Sequence, residues 1–139
     1  KRPPNIYDGY DEILKKNNLD HKITNNDLKK LVPKSKICVC SYLGSSFFEL
    51  MANDIPFVTF FKFSENSLNA EFIDDIKKLK KFNFLFYNGT SAARFLNENH
   101  DKFIDLWNDE EFSKFRQKFR DNWCKKENNW QEIFIKNIS

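Results

Sequence analysis

Lys36-Ile37-Cys38-Val39-Cys40-Ser41-Tyr42-Leu43-Gly44-Ser45-Ser46-Phe47-Phe48-Glu49-Leu50 runs on through Asn53-Asp54-Ile55-Pro56 into Phe57-Val58-Thr59-Phe60-Phe61, and this stretch decides the fold. Ile37, Val39 and the two cysteines Cys38 and Cys40 form a short apolar run of buried-strand type. Gly44 permits a tight turn, and Ser45 and Ser46 are placed to cap the helix that follows. A short helix over 45–53 then leads to a second apolar strand over 56–61. Phe48, Met51 and Ala52 are its expected inner positions.

Outward from this unit, strands and helices keep alternating. Asp11 to Asn17 reads as a short helix, His21-Lys22-Ile23 as a short extended piece, and Thr24 to Val32 as a helix ended by Pro33. After the polar loop Lys62 to Asn66, Phe72, Ile73, Ile76 and Leu79 have helical spacing within Leu68–Lys81. Residues 83–87 read as a short strand and Asn88-Gly89 as a turn. Thr90 or Ser91 caps a helix running to about Trp107. Asp109 caps the next helix, which carries Phe112, Phe115, Phe119 and Trp123 on one stripe, and a last helix spans about Trp130 to Ile138. The expected fold is α/β, a Rossmann-like parallel sheet flanked by helices and closed by C-terminal helices, in a single domain over residues 1–139.

Bulk properties narrow the function. With 16 Phe and 40% hydrophobic residues the chain has material for a packed core. Net charge is +3, from 23 basic and 20 acidic residues, too balanced to argue for nucleic acid. Arg116, Lys118 and Arg120 share one helix but are offset by Glu110, Glu111 and Asp121. The paired lysines, among them Lys77-Lys78 and Lys80-Lys81, suit solvated helix faces, with a weak surface for an anionic membrane or acidic partner as the other reading. Three cysteines without zinc-type spacing suit reduced thiols and a cytoplasmic setting. No apolar run approaches the ~20 residues of a membrane span. A first residue of Lys and a single methionine, Met51, are expected of a piece of a longer protein.

One pattern is site-like. Open parallel sheets bind ligands at the carboxyl ends of their strands, where the Gly44-Ser45-Ser46 turn falls. Free N–H groups and the positive end of the helix dipole suit a phosphate there. Glu49, one turn further in, is within reach of a sugar or ribose hydroxyl. The competing explanation is a capping box of Ser46 with Glu49. Lys62, Ser64 and Glu65 follow the second strand and read as a solvated loop or as the rim, while Arg2 and Tyr7 belong to a disordered end or clasp phosphate and stack on a base. His21 and His100 fit no triad, and neither metal-ligand spacings nor the glycine patterns of dinucleotide and Walker loops occur.

The order of elements resembles the C-terminal half of a GT-B glycosyltransferase, and more closely an uncharacterised group of surface-polysaccharide transferases. Cys38 to Pro56 is similar to that group's stretch of Thr/Ser-Tyr, Gly or Ala, two threonines, Leu-Glu, Leu-Ala, Asn and Pro. Thr90-Ser91-Ala92-Ala93 follows a helix and short strand as it does there. Trp107 followed by Arg116-x-x-Phe119 is similar to a tryptophan before a Gln-x-x-Arg-x-x-Phe helix, although the glutamine and a second tryptophan are missing. Arg2-Pro3 with Tyr7, Gly9 and Tyr10 fits the segment before the nucleotide turn.

The resemblance implies a domain that holds a nucleotide-sugar as substrate, with no metal and no further cofactor. Tyr42, Gly44, Ser45, Ser46, Glu49 and Arg2 would then contact the donor. The acceptor, a surface glycan or lipid-linked molecule, and the catalytic base would belong to an N-terminal domain outside this chain. The expected setting is the cytoplasm, with a peripheral contact to the inner membrane as one option. Glycerophosphate polymerases of the teichoic-acid type and sugar-nucleotide epimerases share the architecture, and a non-catalytic docking module of the same shape is the rival from another class.

Overall fold

The computed structural model describes Lys16, residues 28–63 and residues 68–124. Of the expected helix over 11–17 only Lys16 is described, and it is helical. The extended piece at 21–23 and the helix over 130–138 lie outside the described residues. In chain order the elements are α1 (Leu28–Leu31), a 3-10 turn (Val32–Lys34), β1 (Cys38–Cys40), α2 (Ser45–Ala52), β2 (Phe57–Phe60), α3 (Ala70–Lys81), β3 (Leu85–Phe86), α4 (Gly89–Asn99), α5 (Phe103–Trp107) and α6 (Glu110–Trp123).

The three strands form one parallel sheet in the order β1-β2-β3, with Val39 opposite Val58 and Thr59 opposite Leu85. This is the expected Rossmann-like α/β architecture. Strand alternation assigns the helices to faces. Phe57 and Phe61 meet Phe47 of α2, and Phe47 and Phe72 both meet Phe119, so α2, α3 and α6 cover one face. Phe60 lies against Gly89 and Phe86 against Phe95, so α4 covers the other. Phe84 ties the two ends together through Phe95, Phe103, Trp107 and Phe112, the last stacked at 4.2 Å and nearly parallel.

Several expectations are corrected. The buried residues of α2 are Phe47, Leu50 and Met51, with Phe48 and Ala52 only half-buried. The helix is therefore turned by about one position from the expected face. The caps of α3 and α4 are asparagines that precede them. Asn69 accepts from the Glu71 N–H and Asn88 from the Ser91 N–H, in place of Thr90 or Ser91. The helix expected to run to Trp107 breaks at residues 100–102, and the restart lets Phe103 and Trp107, four apart, both enter the core. Asp109 caps α6 as expected, accepting from the Phe112 N–H, and Phe112, Phe115 and Phe119 are buried.

Candidate functional site

The site begins where β1 ends. Cys40 is the last residue of β1, and its carbonyl accepts a hydrogen bond from the buried Thr59 hydroxyl of β2 at 3.1 Å. That bond pins the strand end from which residues 41–44 climb to α2. Gly44 is the N-cap, in extended backbone (φ −148°, ψ −167°) that any residue adopts. Its lack of a side chain serves space instead of torsion. A Cβ here would strike the Tyr42 ring, coming within 2.7 Å of Cδ2. Tyr42 is 56% exposed, so its ring lies beside the Gly44 backbone and is open to solvent.

The expected capping serines do not cap. Ser45 and Ser46 are the first two residues of α2, the N-cap makes no side-chain hydrogen bond, and the capping box with Glu49 is not formed. The first helical bond runs from the Phe48 N–H to the Gly44 carbonyl at 3.3 Å. N–H groups of the first turn precede any intrahelical acceptor, and the positive end of the dipole is there. Ser45 and Glu49 are exposed on the side opposite Phe47, Leu50 and Met51, and Ser46 lies at the border. The structure thus brings Tyr42, Gly44, Ser45, Ser46 and Glu49 together at the carboxyl edge of the sheet. Lys62 is exposed just beyond the end of β2, while Arg2, Tyr7, Ser64 and Glu65 lie outside the described residues.

Titration narrows the chemistry. Burial, with the neighbouring Cys38 second, pushes the Cys40 thiol up to about 11, so Cys40 is no thiolate nucleophile near neutral pH. His100 is at the surface, against Asp101 at 3.1 Å and far in sequence from the turn. Among the described residues no three of His, Cys, Asp and Glu are grouped to hold a metal ion. What the turn offers is backbone donors, two hydroxyls, a carboxylate and an aromatic face.

The far end of α2 is held through Asp54, for which the sequence suggested no role. Asn53 closes the helix, and Asp54 follows in left-handed backbone (φ 54°). The Asp54 N–H bonds the Met51 carbonyl and the Ile55 N–H bonds the Leu50 carbonyl, the paired pattern of a Schellman ending that usually takes glycine. Asp54 accepts instead from Arg116 Nε of α6 at 2.9 Å, and Arg120 Nη1 approaches the same oxygen at 2.6 Å without hydrogen-bond geometry. Arg116 is buried, donates to the Trp107 carbonyl, and stacks on the rings of Trp107 and Phe112. The charge of Arg116 is therefore turned inward. A signal existed in the pairing of Trp107 with Arg116, but not for Asp54, sixty-two residues away in sequence.

A model of the family described as LIC12162 family transferase matches residues 5–138. The chain belongs to this transferase family. Searches of the curated proteins and of the solved structures return no match. In this transferase the match spans β1, the turn and α2 together with the Trp107–Arg116–Asp54 knot. Among the described residues no helix is long and apolar enough to cross a membrane.

Proposed function

We propose that the chain is the donor-binding half of a glycosyltransferase that moves a sugar from a nucleotide-sugar to a surface glycan or lipid-linked acceptor. The observation that carries this reading is the uncapped N-terminus of α2 at the carboxyl edge of a parallel sheet, in a chain of a transferase family. Phosphate is the ligand such a helix end favours. The first-turn N–H groups with the Ser45 and Ser46 hydroxyls hold the donor diphosphate, and stabilise the negative charge that builds as the nucleotide departs. Glu49, four residues on and on the same side as Ser45, accepts from a ribose or sugar hydroxyl. Tyr42 offers its exposed ring to the base or sugar. The acceptor and the general base come from a domain outside this chain.

Titration of the chain with CMP, UDP, GDP, CDP and their sugars, followed by amide NMR shifts, tests this. One nucleotide should shift residues 42–49, and Ser46→Ala and Glu49→Ala should each weaken it by about tenfold, the equivalent of one lost hydrogen bond to a charged group. Shifts elsewhere with residues 42–49 silent, or binding indifferent to both substitutions, overturn the assignment.

A further inference from the structure

A second surface lies across the molecule's α3–α6 seam. Helices α3 and α6 border a cleft of about 710 Å3. Its floor is Phe82 and Phe115, whose rings stack at 5.4 Å and 29°. Its rim carries Lys78, Lys81, Lys114 and Lys118 against a single acidic residue, Glu111. Lys78 is tied to Asp75 at 3.0 Å and Lys114 to Glu110 at 2.5 Å, whereas Lys81 and Lys118 stand exposed on opposite walls. None of this belongs to the α2 turn.

We infer that this cleft docks an acidic protein segment, with an apolar side chain of that segment seated on Phe82 and Phe115 and its carboxylates on Lys81 and Lys118. Charge complementarity selects the sign of the partner, since Lys78 and Lys114 are already neutralised by Asp75 and Glu110 but exposed Lys81 and Lys118 leave a positive excess over Glu111. Shape selects a polypeptide over a bilayer. The apolar atoms are recessed at the floor, whereas insertion into lipid needs apolar side chains that protrude. Among the described residues the exposed large hydrophobics Val39, Tyr42, Tyr87, Ile104 and Leu106 all lie outside the cleft. A recess of this volume accepts an anchor side chain, and fixed cations at its rim give register and salt-dependent association.

The test is fluorescence anisotropy with the full chain and a short fluorescein-labelled peptide of glutamates around a central Leu-Phe pair. The expected result is saturable binding that weakens with salt. It should fall about tenfold in the Lys81→Glu/Lys118→Glu double variant and less in Lys81→Gln/Lys118→Gln. Both lysines are exposed, so circular dichroism should show both variants folded. No saturation, equal binding by the charge-reversed chain, or equal binding of the same peptide with lysine for glutamate overturns the proposal. So does capture by phosphatidylglycerol vesicles without binding of the peptide. The donor turn is not touched by these substitutions, so nucleotide titration of the same variants should be unchanged, and failure here is distinct from failure there.

Discussion

Arg116 of α6 lies buried between Asp54, at the end of α2, and Trp107 of α5. It is 2% exposed, and its guanidinium is satisfied by the Trp107 carbonyl, the Asp54 carboxylate and two aromatic faces, Trp107 at 4.3 Å and Phe112 at 4.8 Å. The planar fork makes these contacts at once, and a lysine ammonium cannot. Arg116→Lys should cost about 2 kcal/mol, because the Trp107 carbonyl and the ring faces lose their partner while half-exposed Asp54 regains water. Urea denaturation reads this directly, and an unchanged midpoint would mean the stack contributes nothing. Asp54 separates charge from backbone. Asn tolerates the left-handed conformation and removes the charge, whereas Ala must also bear the steric penalty of φ 54°. Asp54→Ala should therefore be about 1 kcal/mol less stable than Asp54→Asn, and equal stabilities would rule out backbone strain as a factor.

At the scale of elements, α3 and α6 are joined by a buried carboxylate. Asp75 of α3 accepts from Trp123 Nε1 of α6 at 2.9 Å and from Lys78 at 3.0 Å. Burial by itself would raise this carboxyl, but the hydrogen bonds from Trp123 and Lys78 and the charges of Lys78 and Lys118 outweigh it and hold it below the ordinary aspartate value. A carboxyl lowered in the folded state stabilises at pH above its unfolded value, near 3.9 or so, and loses that contribution as pH falls through the lower native value. The helix pair should thus weaken in acid, below about pH 4. Asp75→Asn should flatten stability against pH in that window and cost about 1 kcal/mol at neutral pH, since its amide oxygen still accepts from Trp123. Acid-induced unfolding followed by Trp fluorescence checks both, and an unaltered acid limb would show that Asp75 carries none of the linkage.

For the whole molecule, what the sequence displayed and what it concealed divide along local and non-local lines. The strands around Val39 and Val58 and the stripe of Phe112, Phe115 and Phe119 follow from apolar runs and helical spacing, and the structure has them. The rotation of α2 was not legible, because Phe47 and Phe48 are both apolar and only their tertiary partners choose between them. The break before Phe103 follows the same logic, since the core's demand for Phe103 and Trp107 overrides local continuity. At the site, the order Gly44-Ser45-Ser46 located the turn, but neither the N-cap at Gly44 nor the bond by which Thr59 of another strand pins the Cys40 carbonyl was legible.

That pin gives a measurement of how firmly the whole sheet holds the turn. Cys40 is buried with its thiol raised to about 11, which lowers its thiolate at pH 8 by about 100-fold against an ordinary cysteine. Cys38 and Cys124 are also raised by burial but are only half-buried. Under native conditions an aromatic disulfide reagent should modify Cys38 and Cys124 first, and Cys40 only through opening of the structure. Removing the Thr59 hydroxyl in Thr59→Val keeps the shape of β2 and leaves the Cys40 carbonyl without that donor. If the bond is worth roughly 1 kcal/mol, Cys40 labelling should quicken about fivefold while Cys124 labelling does not change. Equal acceleration at both cysteines would instead mean that the hydroxyl supports global stability and leaves the turn no more firmly held than the rest of the fold.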